Sequence, residues 1–182
     1  MTSKPKILKR ETVANSRFFR VEQLAMEFSN GVKRDYQKLN SLGYGAVMVI
    51  PLLDDDTLLL IREYGAGVDD YHLSFPKGAV DAGETHMEAA NRELKEETGY
   101  GAKCLIPLRE VFLSPGYMEH SINIFLALDL HPESREGDEP EPIEVIPHPL
   151  SDADALLDRE DFIEGRAIAG LFLAQRWLAQ QR

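Results

Sequence analysis

One helix with a fixed start and a fixed end limits what this chain can become. Gly83-Glu84-Thr85-His86-Met87-Glu88 places Thr85 as an N-cap with Glu88 three residues on, a capping box, and Gly99 suits the left-handed residue that closes a helix. The spacing predicts a helix over about 85–98. At about 100° per residue, with Glu93 as origin, Glu97 lies near +40° and Glu96 near −60°. Met87, Ala90 and Leu94 form a narrow stripe for the core, while Glu88, Arg92 and Lys95 fall on the side away from it. Three carboxylates therefore share one arc, and carboxylates so placed repel by roughly a few tenths of a kcal/mol per pair. The helix has too little lysine on that arc to neutralise them. Either the arc is a solvated acidic face, or it holds hard oxygen ligands for Mg²⁺ or Mn²⁺, completed by a substrate phosphate.

The surroundings of this helix read mainly as strands. Asn30-Gly31 joins Val21–Phe28 to Val32–Leu39, a strong hairpin signal inside a β-rich segment over 6–40. Ala46–Leu53 and Thr57–Arg62 are apolar runs separated by Asp54-Asp55-Asp56, consistent with buried strands joined by a tight turn. Ala102–Leu113 and Ile122–Leu130 are further strand candidates. Residues 131–142 hold three prolines and a glycine, which excludes regular structure there. Two C-terminal helices are expected, one near Asp152–Leu157 and one from about Glu164 to Ala179. In the second, Ile168, Leu171, Phe172, Trp177 and Leu178 recur at helical spacing and read as core or interface.

Composition narrows the function. The 182 residues carry a net charge of −11, which argues against nucleic acid or anionic membrane as a partner. Residues 1–40 hold nine basic and four acidic side chains, a net of +5, leaving −16 for the remainder. An acidic protein still binds anions where a divalent cation sits between its carboxylates and the ligand. No apolar run reaches membrane-spanning length, the basic N-terminus lacks the apolar centre of a signal peptide, and the single Cys104 excludes an internal disulfide. A cytoplasmic setting is expected.

Gly78, five residues, Glu84, seven residues, then Arg92-Glu93-Leu94-Lys95-Glu96-Glu97-Thr98-Gly99 resembles the Nudix box, with Tyr100 where the family usually has an aliphatic residue. The resemblance implies an α/β fold: an α/β/α sandwich around a mixed sheet over 43–182, preceded by an antiparallel β segment over 1–42 for dimerisation and substrate contacts. It assigns Glu93 and Glu97 as principal metal ligands, Glu96 close by as ligand or catalytic group, and the Lys77 carbonyl as a further ligand. Gly78, Glu84, Arg92 and Gly99 would serve the motif's structure, Glu84 pairing with Arg92.

Further residues resemble the ADP-ribose pyrophosphatase-like branch, in its NudE type. Arg10-Glu11-Thr12, Phe18-Phe19, Phe28-Ser29-Asn30-Gly31, Ile61-Arg62-Glu63-Tyr64 and Glu136-Gly137-Asp138-Glu139-Pro140-Glu141-Pro142 carry that likeness. Pro115 looks like the proline that marks ADP-ribose pyrophosphatases, and Tyr117 like a tyrosine of dinucleoside polyphosphate hydrolases. Gly65 stands where many relatives have an arginine contacting substrate. Hydrolysis of ADP-ribose, NADH and short diadenosine polyphosphates is implied, with a homodimer in which the N-terminal strands of one chain help build the other's adenine site. A GDP- or UDP-sugar pyrophosphatase and a non-catalytic ADP-ribose sensor are the alternatives.

From the residues alone, Arg34 and Arg62 are candidate phosphate contacts, because guanidinium offers paired donors to phosphate. Phe18 or Phe19 is a candidate for stacking on adenine. Surface arginines and core phenylalanines are the competing readings. Glu139 and Glu141, just before the strand expected at Ile143, are candidates for a general base delivered by a mobile acidic loop. Glu133 and Glu136 read as solvated.

Overall fold

The computed structural model describes residues 3–41 and 43–181. Three antiparallel strands come first: β1 (Lys6–Asn15), β2 (Arg20–Glu27) and β3 (Lys33–Asn40), in the order β1-β2-β3. The β2–β3 turn is the expected Asn30-Gly31, with Gly31 at φ 81° and the Val32 amide donating to Asn30 Oδ1 at 3.1 Å. Every residue of β1 is exposed. The sheet meets the rest of the chain along β3, where Leu39 N–H donates to the Tyr117 carbonyl (2.7 Å), Glu119 N–H donates to the Leu39 carbonyl (2.9 Å), and Lys38 pairs with Glu119.

The body of the molecule is built on two sheets. Strands β4 (Ala46–Pro51), β7 (Lys77–Ala79), β8 (Tyr100–Phe112) and β9 (Ser121–Pro132) form a mixed sheet in the order β7-β4-β9-β8, parallel only between β4 and β9. Strands β5 (Thr57–Gly65), β6 (Asp70–Ser74) and β10 (Glu144–Pro149) form a small antiparallel sheet in the order β10-β5-β6. The Asp54–Asp56 turn thus carries the chain from one sheet to the other. Asp54 shapes it, accepting from the Asp56 amide and the Thr57 hydroxyl at 2.9 Å each.

Alternation along β4 sets the layers. Val47 and Val49 pack under helix α1 (His86–Thr98) with Ala89, Ala90, Leu94 and Phe125. Met48 and Ile50 face the other way, toward helix α3 (Gly165–Ala179), meeting Ala167, Leu171 and Ala174 together with Leu58 and Leu60 of β5. The mixed sheet is therefore covered by a helix on each face, the α/β/α arrangement expected. A Cβ at Gly170 would approach Ile50 Cδ1 to 2.7 Å, so the small residue lets α3 lie close to the sheet. Leu150–Asp152 forms a single 3₁₀ turn before the short helix α2 (Asp154–Leu157).

Two side chains depart from the helical-wheel reading. Met87, in the first turn of α1, is 47% exposed, while the helix buries Ala89, Ala90 and Leu94 instead. Phe172 is also exposed while Leu171 is buried.

Phe75 links this core to strand β7: it is fully buried, meets Phe162 edge-on at 6.3 Å between centroids, and immediately precedes Pro76-Lys77-Gly78. Truncating such a side chain costs about 3–5 kcal/mol. Phe75→Ala is expected to lower the unfolding free energy by that amount in denaturant titration; a loss below about 1 kcal/mol would contradict this packing.

Candidate active site

The site grows from the junction of β7 with α1. Strand β7 pairs antiparallel with β4, Gly78 opposite Val47 and Lys77 opposite Met48. The capping box forms, Thr85 and Glu88 each accepting the other's amide, and Gly99 closes the helix at φ 75°. Between these fixed points Arg92 spreads its fork. Its Nε donates to Glu84 Oε1 (2.8 Å) and its two NH₂ groups reach Glu84 Oε2 (3.0 Å), the Ala79 carbonyl (2.8 Å), Glu93 Oε1 (2.7 Å) and Glu96 Oε2 (3.0 Å). The helical angles place Arg92 away from the buried stripe, yet its side chain is only 10% exposed. Its length lets it fold back under the loop, which supplies the neutralising partner that the lysine count missed.

The carboxylates it gathers are not solvated. Glu93 and Glu97 are buried, Glu97 to 6% exposure. Burial pushes the Glu97 carboxyl up to about 8, against the pull of the Lys77 charge and of the Lys77 N–H, which donates to it at 2.9 Å. Burial also raises Glu93, while the Arg92 hydrogen bond holds Glu84 below the usual carboxylate range. Gly78 is required here: a Cβ at that position would lie 2.1 Å from Glu93 Oε1. Among the described residues no three acidic, His or Cys side chains are gathered as a finished metal cage, and Arg92 bonds Glu93 and Glu96 while the Lys77 N–H bonds Glu97. The donor set fits a divalent cation nonetheless. Three desolvated carboxylates meet a backbone stripped of side chain at Gly78, and hard oxygens in such a place suit Mg²⁺-like ions.

Facing the helix is the acidic loop. Glu93, Glu96 and Glu97 line a cleft of about 300 Å³ together with Gly137, Asp138, Glu139, Pro140, Glu141, Pro142 and Ile143. The loop's root is fastened to the end of α1. Glu133 N–H donates to the Gly99 carbonyl, Arg135 N–H to the Lys95 carbonyl, Lys95 pairs with Glu133 and Arg135 with Glu96. Glu133, read as solvated, is thus an anchor, and it also meets His131. At the far end Tyr71 donates to Glu141 at 2.5 Å. Glu139 is raised chiefly by burial and then by the charge of Glu63. Sequence reasoning missed Glu63, which forms an ion pair with Lys77. The available signal was alternation: Glu63 shares a strand face with Leu59 and Ile61, both buried, so a carboxylate there closes an apolar row.

The remaining candidates lie elsewhere. Arg62 is held by Glu144 (3.1 Å) and Asp161 (3.2 Å). Arg34 lies exposed on β3, donating to the Lys33 carbonyl. Phe18 is 67% exposed just before β2, with the Arg17 guanidinium 5.0 Å from its ring centre. Pro115 and Tyr117 line a separate recess beneath the N-terminal sheet, with Leu24, Met26, Phe28 and Tyr36. Within one chain, then, the cleft unites Glu93, Glu96, Glu97, Glu139 and Glu141, with Lys77 and Gly78 at its edge, and leaves Arg34, Phe18, Pro115 and Tyr117 outside. A Cβ at Gly65 would lie 2.9 Å from the His72 ring and 3.0 Å from Val68 Cγ2, so a larger residue there requires those side chains to shift.

Comparison with known proteins agrees with this geometry. Residues 44–170 match the NUDIX domain and residues 5–38 the NudE-type Nudix hydrolase N-terminal domain. The chain belongs to the Nudix hydrolase family. It is 49% identical to the ADP compounds hydrolase NudE of Escherichia coli over 98% of this chain and 95% of that one. It is 30% identical to an ADP-ribose pyrophosphatase of Bacillus subtilis, covering 97% of this chain and all of that one. A crystal structure of an ADP compounds hydrolase superposes with a TM-score of 0.93 at 49% identity, over all of this chain and 97% of that one.

Gly78→Ala is expected to lower kcat by roughly tenfold or more, because its methyl group displaces the Glu93 carboxylate, while the melting temperature changes by only a few degrees. Wild-type kcat in that variant would show that Glu93 need not lie against Gly78.

Proposed function

We propose that the protein hydrolyses the pyrophosphate of ADP-linked compounds, namely ADP-ribose, NADH and diadenosine di- or triphosphate, giving AMP and a phosphorylated product with Mg²⁺ or Mn²⁺ as cofactor. One observation carries the reading. The buried glutamates of α1 and the acidic loop with Glu139 and Glu141 form the walls of a single cleft large enough for a pyrophosphate.

Glu93, Glu97 and Glu96, with the Lys77 carbonyl, would hold the cation. A divalent ion there supplies positive charge against the pyrophosphate oxygens and acidifies water. Arg92 and Glu84 keep the helix and the Gly78 strand in register, so the carboxylates do not reorganise during turnover. Glu139 or Glu141 takes the proton of the attacking water, with Glu96 the next candidate; burial and the nearby Glu63 charge raise the Glu139 carboxyl, which strengthens it as a base. Water adds to one phosphorus, the bridging P–O bond breaks, and AMP and the other half separate as two phosphates.

In this reading residues 1–42 form a dimerisation and substrate segment ahead of the hydrolase domain at 43–182. The fully exposed β1, with Ile7, Leu8 and Val13 on it and Phe18 and Phe19 just beyond, supports a homodimer, because free apolar strand edges invite pairing. Arg34, Phe18, Pro115 and Tyr117 then serve the adenylyl end of the substrate, and Arg62 would reach the phosphates only by leaving Glu144 and Asp161. Small nucleotides are the partners, with neither nucleic acid nor membrane; among the described residues no helix is long and apolar enough to cross a bilayer. The protein works in the cytoplasm.

A relative in Yersinia enterocolitica, a GDP-mannose pyrophosphatase, is 29% identical over 73% of this chain and 74% of that one, which keeps nucleotide sugars as the second reading. The test is a panel of ADP-ribose, NADH, diadenosine triphosphate, GDP-mannose and a UDP-sugar at equal concentration with Mg²⁺. AMP release from the ADP compounds should exceed cleavage of the sugars by about tenfold or more, vanish in excess EDTA, and fall roughly a hundredfold in Glu97→Gln. Faster cleavage of the sugars, full turnover in EDTA, or tight binding of ADP-ribose without cleavage would overturn it.

A further inference from the structure

Behind the acidic loop lies a second recess that the hydrolytic chemistry leaves unused. Arg62, Glu63, Tyr64, Tyr71 and the loop segment Glu139–Glu144 line it, and Glu139–Ile143 is the wall it shares with the carboxylate cleft. Its distinctive feature is a pair of tyrosines. Tyr64 and Tyr71 stand directly opposite each other in the antiparallel β5–β6 register, which sends both rings to one face of the small sheet. The centroids are 5.6 Å apart and the planes meet at 67°, so the rings form an open corner. Each ring stays about half exposed.

The corner is rigid. Tyr64 donates to Asp69 and Tyr71 to Glu141, each at 2.5 Å. Asp69 in turn sits in a tight turn at φ 58°, its amide bonded to the Gly65 carbonyl at 2.8 Å. Both hydroxyls are spent on carboxylates, and those bonds raise both phenols above their ordinary range. Two exposed rings with their polar ends already satisfied, held edge to face, present a surface suited to a planar, electron-poor ring. Arg62 offers no free charge here, since Glu144 and Asp161 occupy it, so the recess as a whole is acidic and disfavours an anionic group.

We propose that the Tyr64–Tyr71 corner is a binding subsite for a planar heteroaromatic ring carried on the non-adenylyl half of the substrate. The inference rests on the pyrophosphatase reading and deepens it. A pyrophosphate in the cleft has the shared wall Glu139–Ile143 beside it, and the Tyr71–Glu141 bond puts the corner one side chain from that wall. A dinucleotide then gains stacking that ADP-ribose, which ends in a bare sugar, does not.

The test uses two half-substrates in the Mg²⁺-loaded wild-type protein: nicotinamide mononucleotide, whose pyridinium ring is planar, aromatic and electron-poor, and ribose 5-phosphate, which has no ring. Both are titrated calorimetrically. Stacking on an aromatic side chain predicts about a tenfold preference for the nucleotide. Tyr64→Ala and Tyr71→Ala should each remove most of that preference while ribose 5-phosphate binds as before. Tyr71→Phe, which keeps the ring and loses the bond to Glu141, should retain it. Equal affinity of the two ligands for the wild type, an unchanged preference in both alanine variants, or equal weakening of both ligands would overturn the subsite. Failure of the wild type to release AMP from any ADP compound is a separate result, seen in turnover, and would count against the parent reading instead.

Discussion

The fork of Arg92 is the interaction on which the rest of the site depends. A single guanidinium ties the loop (Glu84), the end of β7 (the Ala79 carbonyl) and two of the helix carboxylates into one unit. Planarity matters, because five donors in a fixed plane serve several acceptors at once, which a lysine ammonium at the same place does not. Removing one partner from so enclosed a network leaves the others charged and unpaired, a more costly state than never having buried them. The strand, the Glu84 loop and the helix therefore hold together as one piece.

Around this piece the fold places opposite demands on two surfaces. The helix side concentrates desolvated carboxylates against a backbone without a Cβ, and the loop side adds further acids across a narrow cleft. Such a concentration of negative charge is stable only with compensation. Arg92, Arg135 and the Lys77 amide provide part of it. On the proposed reading a divalent cation with a phosphate ligand would supply the remainder, and the same argument would reconcile a net charge of −11 with an anionic substrate.

Local signals in the sequence were legible, and non-local ones were not. The Asn30-Gly31 hairpin, the helix between Thr85 and Gly99 and the irregular loop after Pro132 each rest on neighbours within a few residues, and each stands in the structure. The three glutamates were readable because helical periodicity fixes their relative angles. Strands β6 and β7 carry no separate signal, being only five and three residues long and specified by their partners, whereas the strand expected at Ile143 is β10. Nor does sequence reveal that β4 and β5, joined by one turn, belong to different sheets. The Glu63–Lys77 pair and the Tyr64–Tyr71 corner depend on a strand register that no local pattern encodes. The Glu84–Arg92 pair implied by the motif is present, but a helical wheel, which locates only the Arg92 Cβ, gives no sign that the long side chain also reaches Glu93, Glu96 and the Ala79 carbonyl.

The central claim is that Glu93, Glu96 and Glu97 form the cation site. Electron paramagnetic resonance of free Mn²⁺ tests it directly, without substrate or turnover. Wild-type protein should bind Mn²⁺ with an affinity that falls roughly tenfold or more in Glu97→Gln and is unchanged in Glu136→Gln, an exposed acid of the loop. Wild-type affinity in Glu97→Gln would place the cation elsewhere and contradict the account.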